Sequence, residues 1–558
     1  MTLAAESSLL DPAFVDYLIV IMYFGFVLGI GYIARSAISD SLDFFLSGRS
    51  LPAWVTGLAF ISANLGAVEI MGMSANGAEH GVATMHYFWI GAVPAMLFLG
   101  VVMMPFYYGS KVRSVPEFMR RRFGREAHLV NAVTFAVAQV LIAGVNLFLL
   151  GSVIEAMIGW SIWLSMGVAA AVVLSYTALG GLSAAIYNEV LQFFVIVAAL
   201  LPLTLVALDK AGGWDGFTDS VRGSPGGGEQ LSSWPGVTLT ELDSPFWSVV
   251  GIVFGLGFVL SFGYWTTNFV EVQRAMASNS MSAARRTPII GAFPKMFVPF
   301  IVVIPGMLSA VLVTEIADFK STGEGDVDYN DALLLLIRDV LPNGMLGIAI
   351  AGLMASFMAG MAANISAFNT VFSYDLWQTY VVKDREDDYY LRVGRIMTVV
   401  ATVLALFTAR LAMGYENIMD YLQTLFGFFN APLFATFILG MFWKRMTPAA
   451  AWIGLLSGTG AAIFLYVLSE TGTIGLTGQG ASFAAAGLAF VVDIVVSVAV
   501  SLMTTPKPDK ELVGLVYSLT PKESLRDADD ARASWYQSPT KLAAIALVMV
   551  IGLNLLFL

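Results

Sequence analysis

The chain has no cysteine. That excludes a disulfide, a thiolate metal site and a cysteine nucleophile. Histidine is scarce too. Only His80, His86 and His128 occur, and there is no HExxH, which argues against a zinc protease. Charged residues make up 12% of the 558 positions, against about 25% in soluble domains. No basic domain exists, so the net charge of −11 gives no sign of a nucleic-acid partner. No nucleophile–base pair or metal constellation is visible, and an enzyme is not expected. Residues 1–11 lack a positive n-region, so no cleavable signal peptide is expected either.

What the sequence holds instead is apolar length. Hydrophobic residues make up 58% of it, and runs of about 20 recur throughout, each long enough to cross a bilayer. The expected fold class is an all-α polytopic membrane protein, with the lipid bilayer as its first partner. Fourteen spans are predicted near 12–35, 53–77, 81–108, 126–157, 161–179, 182–209, 245–274, 283–316, 344–380, 389–411, 414–442, 446–468, 480–503 and 539–557. Loop 210–244 is Gly/Pro/Ser-rich, 317–342 is acidic with a short amphipathic end, and 504–538 is a charged linker.

Basic residues predict the orientation. The loops that include Arg35, Arg49, Lys111–Arg125, Arg274–Arg286, Lys383–Arg395, Lys444, Arg445 and Lys507–Lys541 hold 23 Lys and Arg. The alternate loops hold five: Lys210, Arg222, Lys320, Arg338 and Arg410. The first set is therefore expected in the cytoplasm and both termini outside it. An even span count is expected for the same reason.

Four places carry polar groups at membrane depth, where an ionisable side chain costs at least about 2.5 kcal/mol. The stretch 60-FISANLGAVEIMGMSANG-77 combines Asn64, Glu69 and three glycines. Glycine loosens a helix, and a loosened helix frees carbonyls that can ligate a cation; a plain interhelical hydrogen-bond cluster is the other reading. The stretch 261-SFGYWTTNFVEVQR-274 places Tyr264 and Trp265 among hydroxyls and an amide. Sugars bind such walls, and interfacial aromatic belts use the same residues. Lys295 stands between Pro294 and Pro299; it either snorkels or meets substrate hydroxyls or Glu69. Glu189, in 187-YNEVLQFF-194, is either interfacial or an ion or proton ligand.

With these stretches in view, the chain resembles the solute:sodium symporter family, most nearly its sodium/sugar cotransporter branch. The resemblance runs almost end to end. It is carried by DFFLSGRSLPAWVTG (43–57), FISANLGAVEIMGMS (60–74), VPEFMRRRFG (115–124), YTALGGLSAAIYNEVLQFF (176–194), YWTTNFVEVQRAMAS (264–278), PKMFVPFIVVIPG (294–306), SYDLW (373–377) and GMFWKRMTP (440–448). It implies a LeuT-like core of two inverted five-helix repeats, 53–209 and 245–442, with 12–35 and 446–557 peripheral. Spans 2 and 7 would be broken, with the solute site between them near the midplane. It also implies a cell (plasma) membrane location.

Carried over by position, Asn64, Tyr87, Lys295 and Gln423 match polar or aromatic solute-site positions, and Tyr264 falls at the inner gate, followed by Trp265. Departures are Glu69 for a glutamine, Phe88 for a glutamate, Ser261 for an asparagine and Gly91 for a serine. The pocket implied is sugar- or polyol-like rather than galactose-specific. For sodium, the resemblance implies the carbonyls of Ser62, Leu65 and Ser356, with Glu189 nearby in place of an aspartate. Ala359 and Gly360 stand where two hydroxyls belong. Sodium coupling, proton coupling through Glu189 and uncoupled transport all stay open on this basis. So do a monocarboxylate or amino-acid solute and a solute sensor of the same fold.

Overall fold

The computed structural model describes residues 9–34, 40–234, 236–242, 244–415, 418–476, 478–525 and 534–558. Arg35, Arg526 and Arg532, counted in the charge bias, lie outside them. Helices are numbered here by span. Among the described residues, twelve are long and apolar enough to cross a membrane alone: α1 Phe14–Ala34, α3 Tyr87–Gly109, α4 Arg125–Ile158, α6 Gly180–Lys210, α7 Pro245–Thr267, α8 Met281–Leu312, α9 Met345–Val381, α10 Asp387–Ala412, α11 Ile418–Phe442, α12 Pro448–Glu470, α13 Gly478–Met503 and α14 Pro539–Leu556. A thirteenth, α2, is split into Ala53–Asn64 and Val68–Met85, bent by 59°. The shorter apolar helix α5, Ile162–Ala178, lies where a further span was predicted at 161–179. Among the described residues the only β pairing is an isolated bridge, Leu51 to Ser278.

Each interruption has a local cause. At the break of α2, Leu65 leaves helical geometry (ψ 45°) and Gly66 follows. The second half then opens on a wide π turn, Val68–Gly72, which presents Glu69; such turns cluster at functional sites. At the end of α7, Asn268 is extended (φ −70°, ψ 117°) and caps a further helix, α7b, Phe269–Met276. The predicted span 245–274 is therefore two helices. At the start of α6, Gly181 has φ 52° and ψ −149°. A Cβ there would lie 2.6 Å from both the ring and the carbonyl of Phe44, so only glycine fits.

Burial separates core from rim. Of α9's apolar window 89% is buried, against 28% of α1 and 22% of α14. At 28%, α10 is as open as α1 although it falls inside the second predicted repeat. Packing on α9 comes from α4, α5 and α6, while the first half of α2 packs against α8 and α7b. The start of α2 and the end of α7b are tied by Leu51 N to Ala277 O (3.2 Å) and Asn279 N to Leu51 O (2.9 Å). The two broken helices therefore meet at their ends as well as along their faces.

Candidate solute and cation site

Lys295 sits where α8 loosens into a turn between Pro294 and Pro299. It is 1% exposed. Its ammonium donates to Glu69 Oε1 at 2.6 Å and to Asn64 Oδ1. The ring centroids of Phe88 and Trp265 each lie 5.0 Å from Nζ, within cation–π reach. A buried charge needs a partner and further hydrogen bonds, and this lysine has both. The snorkelling alternative is thereby excluded, and the pairing with Glu69 is the one formed.

Asn64 continues the chain. Its Nδ2 donates to the Tyr264 hydroxyl at 3.0 Å. Tyr264 in turn donates to Glu271 Oε1, also at 3.0 Å. Trp265 stacks on Phe60 (5.6 Å, 30°) and Tyr264 packs against Phe426 at 4.8 Å. The aromatic wall is thus an internal one and not an interfacial belt.

All seven residues expected to touch solute line one cavity: Asn64, Glu69, Tyr87, Tyr264, Trp265, Lys295 and Gln423. Tyr87 is held differently from the rest. Its hydroxyl donates to Gln479 Oε1 on α13, and Gln479 Nε2 donates to Asp420 Oδ1 at 2.6 Å. Asp420 lines a second cavity beside α11 and α13. The Tyr87–Gln479–Asp420 relay therefore links the walls of the two cavities.

The break of α2 is closed by other helices. Ala67 N donates to Asn146 Oδ1 of α4 at 3.0 Å, and Asn146 Nδ2 returns to Ile142 O at 3.1 Å. The Leu65 carbonyl accepts from Ser356 Oγ at 2.5 Å. Ser62 is wholly buried, and its hydroxyl has no partner among the described residues. Gly66 and Gly360 admit Asn146 between α2 and α9: a Cβ on either would lie 2.8 Å or 2.5 Å from Asn146 Oδ1. Ser62, Leu65 and Ser356 are thus gathered at the break, and Asn146 adds a side-chain oxygen beside Gly360, one of the two positions that lack hydroxyls. Hard oxygen donors are the right chemistry for a hard cation. Glu189 is placed elsewhere: it accepts from Arg274 NH2 at 2.5 Å and Nε at 3.3 Å. With both oxygens on that fork, it is a charge partner of α7b.

Glu271, Asn146 and Gln479 were not singled out from the sequence. Glu271 is visible in 261–274 as a carboxylate in an apolar run. The other two carry no local signal, since their partners lie on distant helices.

The sequence profile of the sodium:solute symporter family matches residues 44–458, and the chain belongs to that family. Over 470 residues it is 28% identical to a sodium/glucose cotransporter of Vibrio parahaemolyticus, covering 81% of this chain and 85% of that one. Human sodium/glucose cotransporter 4 is 27% identical over 546 residues, covering 90% and 78%. Among solved structures, the substrate-bound outward-open state of a Na+-coupled sialic acid symporter superposes with a TM-score of 0.74. It is 18% identical and covers 89% of this chain and 99% of that one. The two share a fold, the LeuT-like helical core expected above.

Proposed function

We propose that this chain is a secondary active symporter that imports a small hydroxylated solute, a sugar or polyol, together with sodium. One observation carries the reading: seven residues from α2, α3, α7, α8 and α11 converge on a single cavity whose wall includes the break of α2. Amides, a neutralised ion pair and aromatic faces suit hydroxyl groups and ring faces. Family membership and the cotransporter relatives support sodium as the coupling ion.

Sodium would be held by the carbonyls of Ser62, Leu65 and Ser356, with Asn146 Oδ1 beside them. An ion there bridges α2 to α9 and fixes the orientation in which Asn64 and Glu69 face solute. Ion and solute then favour the same state, which is what coupling requires. Tyr264 forms the inner floor of the cavity and the Tyr87–Gln479–Asp420 relay its outer wall. Rocking of two inverted repeats, 53–209 and 245–442, would open one and then the other. The excess of basic residues in alternate loops supports an orientation with both termini outside a plasma membrane. A monocarboxylate or amino acid is the less favoured solute, because Lys295 is already neutralised by Glu69 at 2.6 Å.

The test is uptake of labelled D-glucose into proteoliposomes under sodium or choline gradients, with polyols and carboxylic acids as competitors. Sodium-dependent uptake should occur, compete with polyols, and be lost in Gln423→Ala and Lys295→Ala protein that still inserts and folds. Wild-type uptake in both variants would remove the cavity from the pathway. Competition by acids alone would shift the solute class.

A further inference from the structure

We propose that Glu271 is a proton-binding site beneath the solute cavity, and that its proton holds the Tyr264 floor closed. The inference rests on the reading of Tyr264 as that floor. Glu271 is 0% exposed. Its Oε1 accepts from the Tyr264 hydroxyl, and its Oε2 has no hydrogen-bond partner among the described residues.

The surrounding charges are already matched. Lys295 is paired with Glu69 at 2.6 Å and Arg274 with Glu189 at 2.5 Å. Three buried carboxylates therefore share two cations, and Glu271 is the odd one. The other groups facing it are committed or distant in kind. In α3, the hydroxyls of Tyr107 and Tyr108 donate to the carbonyls of Thr266 and Ser278. The short helix Ser41–Leu46, which also packs on α7b, carries Asp43, a fourth carboxylate and no cation.

An unpaired carboxylate is costly to bury, whereas a neutral carboxyl is far less so. A metal cation would need several oxygens around Oε2, and Tyr264 is the one hydroxyl bonded to this side chain. A proton needs only the carboxylate. Hydronium donates it, an O–H bond forms at Oε2, and water leaves. The protonated carboxyl is compatible with a closed floor. Once the floor opens and water reaches the site, the proton dissociates and the charged carboxylate favours the hydrated, open state. The proton thus binds one state better than the other, which is the condition for a population shift.

The experiment uses the full chain in proteoliposomes, without solute. Infrared difference spectra are recorded between neutral and alkaline pH, in sodium and in choline. A protonated-carboxyl stretch that disappears on alkalinisation is expected, and it should be missing in Glu271→Gln. Should that variant fail to fold, Tyr264→Phe removes the donated hydrogen bond and must shift the band. An absent band in the wild type, a band retained in Glu271→Gln, or one unmoved in Tyr264→Phe overturns the proposal. So does a band that sodium abolishes at neutral pH, which would assign the site to a metal cation. In the transport arm, wild-type D-glucose uptake should fall as internal pH drops, and the profile of Glu271→Gln should be flat. If glucose is not transported at all, the symport reading fails while the infrared result still decides the proton site.

Discussion

The two broken helices are closed in opposite ways. In α7 the interruption is sealed locally: Asn268 Oδ1 accepts from Val270 N, two residues on, at 3.0 Å. That is an N-cap made within its own segment, and the Thr266 carbonyl just before it draws on another helix, accepting from Tyr107 of α3 at 3.0 Å. In α2 the freed groups are met from outside, Ala67 N by Asn146 of α4 and Leu65 O by Ser356 of α9. A break capped by its own side chain keeps that cap whatever its neighbours do. A break sealed by two other helices holds its shape only while those helices stay in place. The α2 break is therefore the one that can report, or respond to, movement between α2, α4 and α9.

Three substitutions test that contrast, in descending order of effect. Gly360→Ser places a Cβ 2.5 Å from Asn146 Oδ1 and 3.1 Å from Gly66 Cα. It should destabilise by about 3 kcal/mol, as overpacking does, and abolish uptake. Pairing it with Asn146→Ala should return part of the lost stability, because the two side chains compete for one space. Additive losses in that double-mutant cycle would mean that the clash is not with Asn146. Asn146→Ala alone strands the buried amide of Ala67, at about 2 kcal/mol. It should also raise the sodium concentration needed for half-maximal uptake, so an unchanged sodium dependence would take Asn146 out of the cation site. Asn268→Ala should cost about 1 kcal/mol, the usual loss for a cap, and Asn268→Asp should restore it. Thermal denaturation of detergent-solubilised protein reads all three. A cap variant in α7 with a larger sodium effect than Asn146→Ala would reverse the comparison.

Much of this site was legible because its signals are local. Asn64, Glu69 and Gly66 within one apolar stretch are enough to suspect a broken helix, and Lys295 between two prolines is enough to suspect a buried cation. Its pairing with Glu69 was one of three readings until the geometry showed 2.6 Å between them. Glu189 shows the opposite outcome. From the sequence it was either an interfacial residue or an ion or proton ligand, and Arg274, 85 residues away, takes both oxygens. Asn146 lies 79 residues from Ala67 and Gln479 lies 392 from Tyr87, so neither contact leaves a pattern along the chain.

By itself, the sequence determined the membrane class, the fourteen apolar segments and the family, because hydropathy and motifs are properties of contiguous residues. It also determined which polar groups lie at membrane depth. Only the tertiary structure decided which of them face one another. Lys295 with Glu69, Arg274 with Glu189 and Tyr264 with Glu271 are set by how neighbouring helices are rotated and how deep each one sits. In an apolar interior those pairings fix where charge is neutralised and where, at Glu271, it is not.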